Sequence, residues 1–175
     1  MSPLFPNVPT TLDLNGPELS FTTQPVGAAI SVASGIATFT GIATATFPAD
    51  QSSRNSNTGA ISYQWYKNTT ALSDGTNVTG SGTTTLTLSG LTSPTDNNAI
   101  VFLQADYVPS AYTGTTPNAI NDPLNSNNAT LTVLPTISIT TQPVDTTVVE
   151  DIETSFSFVA STSDSTDSSL GYQWY

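Results

Sequence analysis

Two short phrases occur twice in this chain, in the same order. Thr22-Thr23-Gln24-Pro25 returns 118 positions later as Thr140-Thr141-Gln142-Pro143, and Tyr63-Gln64-Trp65-Tyr66 returns 109 positions later as Tyr172-Gln173-Trp174-Tyr175. One tetrapeptide match is weak, but two in the same order with apolar alternation between them mark a duplicated structural unit. Between these anchors Thr44-Ala45-Thr46-Phe47-Pro48-Ala49 aligns with Ser155-Phe156-Ser157-Phe158-Val159-Ala160, 111 positions on. On this alignment the first copy carries its extra residues around 28–41 and in the polar loop 51–59. The 175 residues hold one full unit, 18–135, and the start of a second, 136–175. The second copy reaches Tyr175 in mid-strand, before half of its sheet partners, so the natural chain is expected to continue.

The apolar period within the unit is two, which argues strands rather than helices. Strands are expected over 18–24, 36–47 (one long strand or a bent pair), 61–67, 83–88, 100–108 and 129–134. Gly, Pro and Asn clusters punctuate them. Residues 71–82 read as turns with a short edge strand, and 109–127 as a long loop. Residues 1–17 hold Pro3, Pro6, Pro9 and Pro17, which fix φ and remove backbone donors, so this stretch reads as an extended arm. Its apolar residues Leu4, Phe5, Val8, Leu12 and Leu14 fit docking onto a partner surface. They equally fit folding back over an edge strand of the chain's own sheets.

The rest of the composition excludes more than it proposes. There are no Cys and no His, so disulfides, thiol chemistry, zinc sites and imidazole triads are ruled out. The 13 carboxylates against two cations, Arg54 and Lys67, give a net charge of −11. A chain so poor in Lys and Arg is not expected to bind nucleic acid or an anionic membrane surface. The carboxylates are scattered through Asn- and Ser-rich turns, where Asp commonly stabilises the turn itself. No catalytic residue, metal or cofactor is therefore expected. Turns such as 73–77 and 96–98 offer oxygen ligands but lack the EF-hand spacing for calcium. No signal-peptide run follows Met1. The three Asn-x-Thr sequons at Asn68, Asn77 and Asn128 are expected by composition. Tyr112, in the long loop, is a candidate interaction residue.

Tyr63-Gln64-Trp65-Tyr66-Lys67-Asn68, then Leu86-Thr87-Leu88-Ser89-Gly90-Leu91 and Asp96, resemble the immunoglobulin-like domains of bacterial surface and phage proteins. The resemblance implies an all-β fold of antiparallel sandwich repeats with Trp65 in the core on the third strand. It covers roughly 18–135 and again 136–175. Counting on from Asp96, the antibody-type pattern expects Gly, Tyr and Cys where this chain has Asn98, Ile100 and Phe102. The tyrosine corner and the disulfide are thus absent, and Phe102 and Phe47 stand at the positions of the two cysteines. The resemblance therefore implies a core of Phe47, Trp65 and Phe102, with Leu86 and Leu88 beside them.

The segments 103–112 and 118–124 resemble parts of large virion structural proteins of tailed phages that infect marine cyanobacteria. That resemblance implies a structural, non-enzymatic virion protein at the particle surface, a fibre or decoration. Its arm would meet other virion proteins, and its repeats would project outward for weak host attachment. Host-surface glycans and further copies of the chain are the other expected partners. A bacterial cell-surface adhesin or glycan-binding module is the alternative reading.

Overall fold

The computed structural model describes residues 17–31, 35–47, 59–109, 123–164 and 170–175. The arm residues Leu4, Phe5, Val8, Leu12 and Leu14, and Tyr112, lie outside the described residues. All the regular structure described is strand.

The chain enters through β1 (Glu18–Thr23), which pairs antiparallel with β4 (Ile42–Thr46). Pro25 then has no N–H to continue the ladder, and the chain crosses to the opposite sheet. There β2 (Ala28–Ser31) runs parallel to β11 (Ala129–Leu134). The sequence pattern does not predict a strand at 28–31. Gln24 is part of this crossing, since its side-chain oxygen accepts the Asn127 N–H at 2.8 Å. The expected strand 36–47 is a bent pair, β3 (Ala37–Thr40) and β4, broken at Gly41.

One sheet runs β2-β11-β9-β5-β6, built on the long central pair β5 (Gly59–Lys67) and β9 (Ala99–Pro109). Its edge β6 (Thr70–Ala71) is two residues long, and β10 (Leu124–Asn125) pairs with β9 ahead of β11. The facing sheet has β3 beside β8 (Thr85–Leu88) and β7 (Val78–Thr79), with β1 on the β4 half. Taking β3 and β4 as one bent strand, the two sheets have the strand order of an immunoglobulin-type sandwich. Strands β1 to β11 therefore form an immunoglobulin-like arrangement without a cysteine.

The core between the sheets contains Phe39, Trp65, Leu86, Leu88, Val101, Leu103, Leu131 and Val133. Trp65 is fully buried, packs against Phe39 with ring centroids 6.4 Å apart, and donates its indole N–H to the Thr83 carbonyl at 2.8 Å. Tyr63 ties the sheets together further along, its hydroxyl meeting both the N–H and the carbonyl of Ala43.

Two expected core residues lie elsewhere. Phe102 is on the outer face of its sheet, and Leu103, paired in register with Trp65, fills the core. The inward set, Ala99, Val101, Leu103 and Ala105, is offset by one residue from the count that starts at Asp96. Asn98, in the turn between, adopts a left-handed φ of 63°, a conformation Asn tolerates better than most residues. A shift of one residue in a strand exchanges its faces. Phe47 follows the end of β4, eight positions past Phe39, and packs edge-on against Tyr107 with centroids 5.4 Å apart.

The second copy repeats the opening of the first. β12 (Ile137–Thr141) pairs with β13 (Val159–Thr162), with the register break Ile139/Thr141 matching Phe21/Thr23. Ser20 with Thr44 and Ser138 with Ser161 share hydroxyl hydrogen bonds of 3.2 and 3.1 Å. Thr22 and Thr140 each donate to a carbonyl, of Ile42 and Val159, at 3.2 Å. These equivalences correct the alignment of the middle segment. Ala43 corresponds to Ala160, 117 positions on, so Phe39 corresponds to Phe156 and all but one of the extra residues of the first copy fall after β4. Phe156 and Trp174 are about half exposed, at 52% and 51%. The strands that cover their counterparts, β8, β9 and β11, have no equivalents among the described residues of 136–175.

Candidate functional site

Two carboxylates, Asp74 and Asp96, are tied into turns. Asp74 accepts the Ser81 N–H at 2.7 Å, and that backbone hydrogen bond lowers its pKa. Asp96 pairs with Lys67 and accepts the N–H (2.8 Å) and hydroxyl (3.3 Å) of Thr92. Burial pushes the Asp96 carboxyl up, but the Lys67 hydrogen bond and charge, with the Thr92 donors, outweigh it and hold it below its ordinary value. Each group is thus explained by the turn it stabilises. No group of three or more His, Cys, Asp or Glu that could hold a metal occurs among the described residues.

Two hollows among the described residues have largely apolar walls. The larger, about 420 Å³, lies on the second copy between Ile137, Ile139, Phe158, Leu170 and Tyr172. Phe158 fills part of it, meeting Tyr172 and Trp174 edge-on at 5.1 Å each. The smaller, about 230 Å³, lies over the Lys67–Asp96 pair at one end of the first sandwich.

More distinctive is the outer face of the β5-β9 pair. Alternation sends Trp65 and Leu103 inward, so Tyr66 and Phe102, also directly opposite each other, must point outward. Their rings stack with centroids 4.9 Å apart and planes within 1°. Both are partly exposed. The Tyr66 hydroxyl donates to Gln104 Oε1 at 3.3 Å, and Gln104 Nε2 donates to Asn125 Oδ1 at 3.0 Å. On the other side Tyr66 is opposite Ala71, an exposed residue on the two-residue edge strand. Gln64 does not join this row. Its amide reaches the carbonyls of Leu72 and Trp65 and holds the edge in place.

Of the residues singled out from the sequence, Trp65, Leu86 and Leu88 meet in the core. Phe102 instead stacks on Tyr66, a residue that no sequence motif singles out for this face. The signal was there. Positions 99, 101, 103 and 105 are all apolar, whereas 100, 102, 104 and 106 include Gln104 and Asp106. The more polar set belongs outside.

No family model matches the chain, and neither does any curated protein. Solved structures similar to it are tandem immunoglobulin repeats. Sidekick-1 immunoglobulin domains 1–5 align at 18% identity and a TM-score of 0.48, over 82% of this chain and 25% of that one. The tandem repeats of Dlar align at 21% and 0.43, over 73% and 56%. A chimeric titin Z1Z2 carrying an exogenous decorin peptide aligns at 17% and 0.40, over 84% and 65%. The chain thus spans between a quarter and two thirds of these structures. Its immunoglobulin-type assignment rests on its own strand order and register.

Proposed function

We propose that this chain is a structural, non-enzymatic component of a tailed-phage particle, in which immunoglobulin-like repeats project from the surface and make weak contacts with a host. The observation that carries this reading is structural repetition. β12 and β13 rebuild the β1–β4 pair in the same register and with the same register break, and only Pro135 and Thr136 separate β11 from β12. Repeats strung on so short a connection give reach. Many weak contacts presented together gain avidity that none has alone. The segments 103–112 and 118–124 supply the resemblance to virion proteins.

The arm, residues 1–17, is the proposed attachment to other virion proteins. Deleting residues 2–14 is expected to abolish incorporation into particles while leaving the melting temperature of the first repeat unchanged. Quantitative mass spectrometry of purified particles and thermal unfolding measure the two effects. A much lower melting temperature would instead assign the arm to its own fold, as cover for a sheet edge.

A bacterial cell-surface adhesin is the second reading, favoured by the partly exposed Tyr66–Phe102 pair. Immunogold labelling separates the two, since one places the chain on particles and the other on cells.

A further inference from the structure

The outer face of the first repeat is chemically unlike the rest of this acidic chain. It carries a stacked aromatic pair, a row of amides running from Gln104 to Asn125, and the hydroxyl of Tyr66. Asp106 is the charged residue on the outward-facing run of β9. We propose that this face binds a neutral oligosaccharide, with a sugar ring on the aromatic pair and its hydroxyls on the Gln104–Asn125 amides.

Three features select this ligand. An aromatic ring bordered by alanine presents an apolar surface to the C–H face of a sugar, and the Tyr66 oxygen, its hydrogen given to Gln104, can still accept. Side-chain amides offer donors and acceptors together, which suits hydroxyls that are both. The third is charge. Of the chain's two cations, Lys67 is committed to Asp96 on the other side of the sheet. A net charge of −11 then repels anionic polymers. A neutral ligand faces no such penalty.

Such a face would supply the host contact in the attachment reading, and it rests on that reading for its setting alone. The pairwise hydrogen bonds Tyr66–Gln104 and Gln104–Asn125 hold the amides before any ligand arrives, which lowers the entropy lost on binding.

The test is a titration of the ¹⁵N-labelled full chain with cellohexaose, maltohexaose and chitohexaose, each separately, with heparin as the anionic control. At least one neutral sugar is expected to give saturable shifts at the Gln104 and Asn125 side-chain amides, and heparin none. Phe102→Leu and Tyr66→Ala should each weaken that binding roughly tenfold, the size of a lost aromatic contact. Gln104→Ala serves as a third variant should an aromatic one unfold. Absence of saturable shifts with all three sugars would overturn the proposal. So would undiminished affinity in the folded variants, preference for heparin, or concentration-dependent pairing of two copies through this face. Incorporation into particles is measured separately, so a chain that sits in particles yet ignores all three sugars defeats this proposal and not the structural reading.

Discussion

Asp96 shows how a single residue ties the sandwich together at one end. It joins the turn before β9, through Thr92, to the end of β5, through Lys67. Its carboxyl is held below its ordinary value, so its contribution is present at neutral pH, above the unfolded value of about 3.9. That contribution is lost as pH falls through the folded value. Asp96→Asn is expected to lower the urea midpoint at pH 7, with the gap from wild type closing as pH drops below about 4. A gap of equal size at pH 7 and pH 3 would deny the carboxylate its role. At this scale the sequence was readable wherever residue type alone decides. Trp65 in a repeated phrase, and Leu86 and Leu88 two apart, belong inside. Phe102 was not readable by counting from Asp96, because an offset of a single residue is enough to exchange the faces of a strand. The polarity of Gln104 and Asp106 was the better guide.

The elements show why the repeated phrases recur. In Thr-Thr-Gln-Pro the proline ends one ladder and the glutamine holds the crossing to the other sheet. In Tyr-Gln-Trp-Tyr the four side chains clamp the facing sheet, fix the edge, fill the core and face outward, in that order. Gln173 donates to the Trp174 carbonyl at 2.8 Å, as Gln64 does to that of Trp65 at 3.0 Å. Gly41, where the long strand bends, has a more exacting role. A Cβ there would stand 2.8 Å from the Leu103 side chain and 3.5 Å from that of Pro25. Gly41→Ala should therefore destabilise the domain by about 1–3 kcal/mol through overpacking. The loss should shrink in a Leu103→Ala background, where the added methyl has room. Additive losses in the double mutant would contradict the proposed contact. The bend itself was legible only as an alternative, since Gly in a strand signals a break without saying which sheet each half joins.

For the whole molecule, the joint between repeats matters most. Ser93, in the turn before β9, donates to Asp164 beyond β13 at 2.8 Å, and both side chains are buried. Thr136 and Ser163 share two hydrogen bonds that extend the β12–β13 pair up to the connection. Ser93→Ala should broaden the range of inter-repeat orientations without changing the melting of the first repeat. Residual dipolar couplings of the two units report the first, and thermal unfolding the second; unchanged couplings would show that the connection alone sets the angle. This joint was invisible in the sequence, because it brings together residues 71 positions apart through one hydroxyl. The repeat itself was visible, but its middle alignment was not, since Phe39 and Phe47 each follow a threonine and precede an alanine a few positions on, so both match the second copy. Everything said of the outer face depends on the register of β5 against β9, with Trp65 and Leu103 inside and Tyr66 and Phe102 outside. A chain with no cysteine allows this to be measured at single positions. Phe102→Cys and Leu103→Cys each carry one thiol, to be reacted with a thiol-specific reagent in buffer and in denaturant. The Phe102→Cys thiol should react at a similar rate in both, and the Leu103→Cys thiol only once the domain unfolds. The reverse pattern would put Phe102 in the core and remove the aromatic face on which the binding proposal stands.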